Sequence, residues 1–236
     1  MQIIAIIPAA GVGRRMGSAV EKQFLRLRGI PILAHTLKIF DQSTEIDGVV
    51  LVVAPLQRRA LETEVLGRHP CHKLLEIVDG GPERQDSVAN GLRATPSDCE
   101  LVVVHDGVRP LVSIDLLSAV LKAARRHGAA IAAVPAGDTV KQAEDLKVVA
   151  TLERETVWLA QTPQAFHVNF LRRAYEQAAL DGAAVTDDAA LVERIGVAVH
   201  LVRSSSENIK VTTPFDLVVA EAILAQRELS MKVSKE

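Results

Sequence analysis

Glycines and cationic side chains lie together directly after the first apolar run of the chain. Residues 8–17 read PAAGVGRRMG and follow the apolar run 3–7. Arg14, Arg15 and Lys22 place three cations within nine residues. Backbone N–H groups of a glycine turn approach phosphates closely, and nearby cations neutralise the phosphate charge. The segment therefore predicts a polyphosphate-binding loop, with a solvated basic loop as the alternative.

The spacing of the glycines separates this loop from two common nucleotide-binding loops. Gly11, Gly13 and Gly17 form G-x-G-x-x-x-G, and Met16 stands where a dinucleotide fingerprint has its third glycine. No carboxylate ends the second apolar run, 49–53, where a dinucleotide site needs one for the ribose. The lysine of the segment is followed by glutamine, whereas a Walker A loop has serine or threonine there. A triphosphate is therefore the better match.

Apolar runs alternate with segments of helical periodicity along the whole chain. The runs are 3–7, 49–53, 74–78, 101–104, 130–134 and 197–202. The helical segments are 32–40, 56–66, 87–92, 114–126, 168–179, 187–195 and 215–228. Because unbroken apolar runs are typical of strands buried on both faces, this order predicts a doubly wound, mostly parallel α/β sheet with helices on both faces. We expect a single domain, 1–236.

Ligands of such sheets bind beyond the carboxyl ends of the strands, so the loops there carry the next candidates. Asp106 follows the fourth apolar run, and Mg²⁺ prefers one or two carboxylates together with substrate phosphates. Gly107 lets a ligand approach the backbone. The segment 80–87 begins a helix whose free N–H groups can hold an anion or read a base edge. Simple turn formation at Asp106, and helix capping by Asp86 and Ser87, are the alternatives.

Two further segments are explained by local structure, except for one lysine. Thr186 precedes two acidic residues, as at an ordinary helix N-cap, and Thr213, Pro214 and Asp216 form a typical helix start. Capping does not explain Lys210, which therefore supplies a cation for a second anionic substrate.

Residues 138–158 interrupt the alternation of strands and helices. A polar turn near 144–145 separates two arms of alternating polarity, which predicts a protruding β-hairpin. Such an arm buries little surface by itself, so we expect it to pair with a second subunit in a homodimer. A mobile surface hairpin is the alternative.

Composition and charge exclude several classes of protein. The formal net charge is −2 and aromatic residues make up 3% of the chain, so a nucleic-acid partner is not expected. Apolar stretches of about eight residues are too short to cross a membrane. Cys71 and Cys99 have no CxxC spacing and the seven histidines form no zinc-ligand pattern, so we expect a cytoplasmic protein without structural zinc.

Seven ordered segments together resemble the 2-C-methyl-D-erythritol 4-phosphate cytidylyltransferase family. They are 9–17 with 22–25, 80–88, 104–110, 138–141, 161–164, 186–188 and 208–212. The resemblance implies a Rossmann-like nucleotidyltransferase fold and a homodimer joined through the arm. It also implies the reaction of CTP with methylerythritol phosphate to a CDP-alcohol and pyrophosphate, in the non-mevalonate pathway of isoprenoid synthesis.

The resemblance also implies roles for individual residues. Arg15 and Lys22 match residues that stabilise the transition state, and Arg154 and Lys210 match residues that place the acceptor phosphate. Arg109, Thr139 and Thr186 match the polyol phosphate site. The nucleotide-binding positions are Pro8, Ala9, Ala10, Gly11, Gly13, Gly81, Ser87, Asp106 and Gly107. Among these, Ala9, Ala10, Gly81 and Ser87 match the cytosine site, and Asp106 matches the ribose and the Mg²⁺ or other divalent cation.

One residue of the first loop departs from the family pattern. The family commonly has proline before the lysine, whereas this chain has Glu21 before Lys22. A proline would restrict the loop, while a carboxylate competes with the triphosphate for the lysine ammonium.

Four other functions share parts of this pattern. A cytidylyltransferase for ribitol 5-phosphate, or a sugar-1-phosphate nucleotidyltransferase, would share the glycine loop and differ in its acceptor. A non-catalytic CTP sensor would keep the cradle but has no use for the second cation, Lys210. An NAD(P) oxidoreductase is disfavoured by the glycine spacing.

Overall fold

The central element of the fold is a seven-stranded sheet. The computed structural model describes residues 2–11 and 22–233. The strands are β1 (Gln2–Pro8), β2 (Arg26–Leu27), β3 (Ile30–Pro31), β4 (Gly48–Val53), β5 (Leu74–Asp79), β6 (Cys99–Val104), β7 (Ala129–Pro135), β8 (Lys141–Glu144), β9 (Lys147–Thr151), β10 (Trp158–His167) and β11 (His200–Arg203). The sheet has the order β11-β7-β10-β6-β1-β4-β5. Every neighbouring pair is parallel except the two that contain β10. The predicted mostly parallel sheet is confirmed.

Helices cover both faces of this sheet. The α-helices are α1 (Ile32–Gln42), α2 (Arg58–Ala60), α3 (Arg84–Arg93), α4 (Ile114–His127), α5 (Val168–Asp181), α6 (Asp188–Arg194) and α7 (Pro214–Val233), and a π-helix, Leu61–Leu66, continues α2. Buried residues of α1 and α4 pack on one face, and those of α3, α5 and α6 pack on the other. Among the described residues, no helix is both long and apolar enough to cross a membrane.

The strand sequences follow from this double coverage. In β1, Ile3, Ala5 and Ile7 belong to the core cluster beneath α1 and α4, whereas Ile4 and Ile6 belong to the cluster beneath α3 and α5. Both faces of the strand are therefore apolar. This explains why the sequence shows unbroken apolar runs and not alternation.

The longest strand, β10, was not predicted. It lies between β6 and β7 and runs antiparallel to both. Ala160 pairs with Ala133 and Gln164 pairs with Ile131, so the intervening residues 161–163 bulge from the β7 ladder. Pro163 is tolerated there because a bulge does not require its missing N–H. The proline and the polar residues beside it concealed the strand in the sequence.

The predicted hairpin arm is confirmed, with a shorter extent. β8 and β9 pair with each other in a two-stranded sheet of their own, and residues 141–149 are exposed. Asp145 and Leu146 form the turn with positive φ of 47° and 63°, one residue later than predicted. Trp158 already belongs to β10, so the arm ends before the predicted boundary at 158.

Several local predictions are settled by hydrogen bonds. Asp187, not Thr186, caps α6, because its side chain accepts from the Ala190 N–H at 3.1 Å. Thr213 caps α7 as predicted, and its hydroxyl accepts from the Asp216 N–H at 3.2 Å. Asp216 in turn accepts from the Thr213 N–H at 2.8 Å. The last strand begins at His200, later than the predicted run 197–202.

Close packing of α3 on the sheet predicts the effect of a glycine substitution. A Cβ added at Gly91 would lie 2.6 Å from Ile6 Cγ2 and 3.0 Å from Val52 Cγ2. Overpacking of this kind outweighs the helix propensity gained by alanine, so we expect Gly91→Ala to lower the free energy of unfolding by about 1–2 kcal/mol. Urea denaturation measures it. Gly137→Ala is the control, because nothing lies within 4 Å of the added Cβ; equal losses in both variants would contradict the packing explanation.

Candidate active site

The loops after β1 and β6 meet at the carboxyl ends of the strands. The Ala9 N–H donates to Val52 O at 2.7 Å, and the Gly107 N–H donates to Pro8 O at 3.1 Å. Gly107 is buried, and a Cβ there would lie 3.2 Å from the Ala9 Cβ. Pro8 and Ala9 of the first loop therefore lie beside Gly107 of the second.

The loop after β5 completes this group. A Cβ at Gly80 would lie 2.3 Å from the Ala10 Cβ, so only glycine permits the two loops to come this close. The Gly81 N–H donates to Ser87 Oγ at 3.1 Å, and Ser87 Oγ donates to Glu83 O at 3.1 Å. The residues predicted to bind cytosine therefore lie close together. The Ser87 hydroxyl is engaged in hydrogen bonds within its own loop.

Asp106 is surrounded by three cations. Lys210 Nζ lies 2.8 Å from Asp106 Oδ2, Arg84 Nε lies 3.3 Å from Oδ1, and Arg109 Nε lies 3.5 Å from Oδ2. The carboxylate is buried. Burial by itself would raise the pKa of Asp106, but Lys210, Arg84 and Arg109 lower that pKa well below its usual range. Asp106 is therefore an ionised carboxylate.

Arg84 connects this carboxylate to a second one. Arg84 Nη2 lies 2.7 Å from Asp188 Oδ2, and the Tyr175 hydroxyl donates to Asp188 Oδ1 at 2.5 Å. Burial, followed by the charge of Asp188, raises the pKa of Tyr175 above its usual range, so Tyr175 is a neutral donor. Three cations thus face two carboxylates, and the surplus positive charge favours an incoming anion.

A chain of hydrogen bonds holds the backbone around Asp106. The Asp106 N–H donates to Thr162 Oγ1 at 3.1 Å, and the Thr162 hydroxyl lies 3.1 Å from His105 Nδ1. His105 Nε2 lies 3.1 Å from Arg109 O, an obligate acceptor. Nε2 therefore carries the imidazole proton, and the Thr162 hydroxyl donates to Nδ1. Burial lowers the pKa of His105 to about 4, so the ring is neutral near pH 7.

The bulge at 161–163 also fixes the segment that carries Lys210. Asn208 Nδ2 donates to Gln161 Oε1 and to Thr162 O, both at 2.9 Å. Arg109 Nη1 donates to Asn208 O at 2.7 Å. The irregular part of β10 therefore joins the Asp106 loop to the Lys210 segment.

A small apolar cluster connects these loops to the C-terminal helix. Its buried members are Leu27, Ile32, Leu111, Val211 and Ala220, which we call the third cluster. Leu111 follows the Asp106 loop and Val211 follows Lys210, while Ala220 belongs to α7. The Val211 N–H also donates to Val108 O at 2.9 Å. The backbones of both charged segments are thus held together.

Five residues of this network lie in segments that carry the family resemblance but were given no role from the sequence: Arg84, Gln161, Thr162, Asp188 and Asn208. All except Arg84 are buried and polar. Their signal was polar side chains inside or beside apolar runs, which predicts buried hydrogen-bonded groups. Their partners are distant in sequence, so the pattern alone did not identify them.

Within the described part of the chain, no hydrogen bond or ion pair joins three of the predicted acceptor-site residues to this network. Thr139, Arg154 and Thr186 are exposed. Arg154 forms an ion pair with the neighbouring Glu155 at 3.2 Å. Arg109, in contrast, is buried beside Asp106. The acceptor roles of all four stay predictions.

Part of the first loop lies outside the described residues. This applies to Gly13, Arg14, Arg15 and Glu21. Gly11 is exposed at the upstream end, and Lys22 begins a short 3₁₀-helix, Lys22–Phe24, at the downstream end. The roles of Arg15 and Lys22 stay predictions.

The groups around Asp106 determine which mode of metal binding is compatible with this site. Cations contact both of its oxygens, and within 2–11 and 22–233 no three His, Cys, Asp or Glu side chains gather to hold a metal ion. A metal ion held by protein ligands alone does not fit. A divalent cation carried by a triphosphate fits better, because Mg²⁺ takes much of its coordination from phosphates and water.

The doubly wound sheet and the cationic centre beyond the carboxyl ends of its strands are typical of an α/β nucleotide-binding protein, and the solved structures reported below are those of α/β nucleotidyltransferases. The sequence model of the 2-C-methyl-D-erythritol 4-phosphate cytidylyltransferase family matches residues 3–226. The chain belongs to this family.

Relatives of the same name match over nearly the whole chain. The cytidylyltransferase of Geobacter metallireducens is 46% identical over 230 residues, which cover 96% of this chain and 99% of the relative. That of Desulforamulus reducens is 48% identical over 226 residues, covering 95% and 97%.

Solved structures support the same relationship. The 4-diphosphocytidyl-2C-methyl-D-erythritol synthase of Anaerococcus prevotii has a TM-score of 0.84 at 34% identity, covering 95% of this chain and 96% of that one. The 2-C-methyl-D-erythritol 4-phosphate cytidylyltransferase of Thermus thermophilus has a TM-score of 0.76 at 36% identity, covering 94% and 98%. The fold predicted from the resemblance is confirmed.

The neutral state of His105 predicts a pH-dependent stability. The folded pKa of about 4 lies below the ordinary 6.5, so the unfolded chain binds a proton first as the pH falls. This contribution to stability is complete above pH 6.5 and is lost between pH 6.5 and 4. We expect His105 to account for about 2 kcal/mol of lost unfolding free energy between pH 7.5 and 5.

Urea denaturation at both pH values measures this loss. His105→Gln should show a smaller loss between the two pH values, while His72→Gln, at an exposed histidine, should behave like the unsubstituted protein. The same pH dependence in the unsubstituted protein and His105→Gln would contradict the assignment.

Proposed function

We propose that this chain transfers the cytidylyl group of CTP to 2-C-methyl-D-erythritol 4-phosphate. The products are 4-diphosphocytidyl-2-C-methyl-D-erythritol and pyrophosphate, in the non-mevalonate pathway of isoprenoid synthesis. The observation that carries this proposal is the family match over residues 3–226, together with relatives aligned over 95–96% of the chain.

The reaction requires charge neutralisation more than proton transfer. An oxygen of the acceptor phosphate attacks the α-phosphorus of CTP, and the bond to the β-phosphate breaks to release pyrophosphate. A phosphate monoester has its second pKa near 6, so the nucleophile is already an anion and needs no general base. The buried, neutral His105 is consistent with this, because both of its nitrogens are engaged within the protein.

Repulsion between the two substrates is the main obstacle. Two unit charges at about 4 Å repel by roughly 1 kcal/mol in water and about 4 kcal/mol at an effective dielectric of 20. We assign Arg15 and Lys22 to the triphosphate, and Lys210 and Arg154 to the acceptor phosphate. The surplus positive charge around Asp106 supports this arrangement, because it offsets repulsion between incoming anions.

The gathered loops suit a nucleoside. We assign the cytosine to Ala9, Ala10, Gly81 and Ser87. The remaining nucleotide contacts fall to Pro8, Gly11, Gly13, Asp106 and Gly107. Mg²⁺ or another divalent cation is proposed to enter with the triphosphate on the side of Asp106, where it supplies further charge neutralisation.

The exposed arm suits a dimeric enzyme. Leu146, Val148 and Val149 are large apolar residues on its surface, as expected of a segment that a second copy covers. We propose a homodimer in which Thr139, Arg154, Thr186 and Arg109 line the polyol phosphate site. A cytoplasmic location accords with the unpaired Cys71 and Cys99.

Pyrophosphate release tests the proposed reaction. With CTP and Mg²⁺, we expect release with 2-C-methyl-D-erythritol 4-phosphate and much slower release with ribitol 5-phosphate or glucose 1-phosphate. Release with one of the latter two alone would contradict the acceptor assignment. CTP binding without release for any acceptor would favour a sensor.

The role of Lys22 is tested by its removal. We expect Lys22→Ala to lower kcat by roughly two to three decades, as for other preorganised charge donors. Steady-state pyrophosphate release measures the change. Lys122→Ala, on the exposed side of α4, should leave kcat unchanged. Normal turnover in Lys22→Ala would remove this residue from the proposed mechanism.

A further inference from the structure

The three cations around Asp106 differ in how firmly they are held. Arg84 also pairs with Asp188 at 2.7 Å, and Arg109 also donates to Asn208 O at 2.7 Å. Among the described residues, Asp106 is the one charged partner of the Lys210 ammonium, at 2.8 Å. The Lys210 side chain is also the most exposed of the three, at 39% against 28% for Arg84 and 11% for Arg109.

We propose that Asp106 is the positioning residue for Lys210. Its carboxylate pairs with the lysine ammonium at the mouth of the site until the acceptor phosphate binds and replaces the carboxylate as the partner of the ammonium. This rests on the proposed function, in which Lys210 binds that phosphate. Asp106 thereby sets the affinity for the acceptor, because each acceptor that binds must displace the carboxylate from the ammonium.

The departure of Lys210 leaves Asp106 with other partners. Arg84 remains 3.3 Å from Oδ1 and Arg109 remains 3.5 Å from Oδ2. A buried carboxylate left without a partner would be costly, but this one keeps two cations. The exchange therefore replaces one ion pair of Lys210 by another, with a phosphate dianion as the stronger partner.

The exchange requires motion of the lysine side chain alone. The Lys210 segment is fixed by the Val211 N–H, which donates to Val108 O at 2.9 Å, and by the side chain of Asn208. The ammonium sits on a flexible four-carbon stem, so it can turn from one anion to another while the backbone stays in place. Arg84 and Arg109 lack this freedom, because their guanidinium groups bridge two partners each.

Removal of the carboxylate charge should therefore strengthen acceptor binding. The experiment is calorimetric titration with 2-C-methyl-D-erythritol 4-phosphate in the presence of α,β-methylene-CTP and Mg²⁺, so that no cytidylyl group is transferred. Four proteins are compared: the unsubstituted protein, Asp106→Asn, Lys210→Gln and the double variant. We expect Asp106→Asn to bind the acceptor roughly 3- to 10-fold more tightly, and Lys210→Gln to bind it roughly 10-fold more weakly.

The double variant distinguishes an effect of Asp106 that acts through Lys210 from a general effect of removing a negative charge. If Asp106 acts through Lys210, the double variant should bind the acceptor as Lys210→Gln does. If Asp106→Asn tightens binding equally with and without the lysine, the effect is long-range electrostatics and the proposal is overturned. Unchanged or weaker binding by Asp106→Asn overturns it as well.

A direct measurement covers the case in which Asp106→Asn does not fold. The ¹⁵Nζ resonance of Lys210 in the unsubstituted protein, identified by its loss in Lys210→Gln, should shift when the acceptor is added to protein already saturated with α,β-methylene-CTP and Mg²⁺. A resonance unmoved by the acceptor contradicts the exchange. Acceptor affinity unchanged in Lys210→Gln removes the role of Lys210, whereas failure of the proposed function itself appears separately as absent pyrophosphate release.

Discussion

The site depends on concentrating positive charge before any substrate is present. Three cations crowded together would repel one another, and the buried Asp106 carboxylate makes their proximity tolerable, with Asp188 sharing Arg84. The fold supplies this carboxylate at the end of β6, between loops that come from other strands. Electrostatic preorganisation of this kind is worth most where the charges are partly shielded from water, as they are here.

An irregular strand, β10, holds the charged segments around Asp106 in place. β10 contributes its regular part to the sheet and its bulge to the site, where Thr162 and Gln161 reach the Asp106 loop and Asn208. Buried polar groups are costly unless they find partners, and hydrogen bonds from this bulge connect three chain segments. The third cluster adds apolar packing on the outer side. Hydrogen bonds from the bulge thus hold the backbone that carries the charged side chains. The apolar packing of the third cluster keeps these backbone segments together.

The sequence predicted the parts of this site that depend on patterns of residues close together in the chain. Apolar runs identified the parallel strands, a strand end identified the loop of Asp106, and Lys210 stood out because helix capping did not explain it; the fold brings the two side chains to 2.8 Å. Arg84 was missed because its partner Asp188 lies 104 residues away. Pro163 concealed β10, since a proline argues against a central strand unless a bulge receives it. Arg154 and Thr139 are exposed, and a single chain does not determine what covers them.

The reversed direction of β10 has a consequence for where the chain can change in length. β7 ends at Pro135 opposite Trp158, where β10 begins, so these two strands form an antiparallel pair whose connection lies at the same edge as the carboxyl ends of the parallel strands. The whole arm is an insertion into that connection. Because β8 and β9 form a sheet of their own, a change in the length of the arm leaves the seven strands of the central sheet and both large cores as they are. Topology thus makes this connection a place where the chain can change in length without disturbing the central sheet.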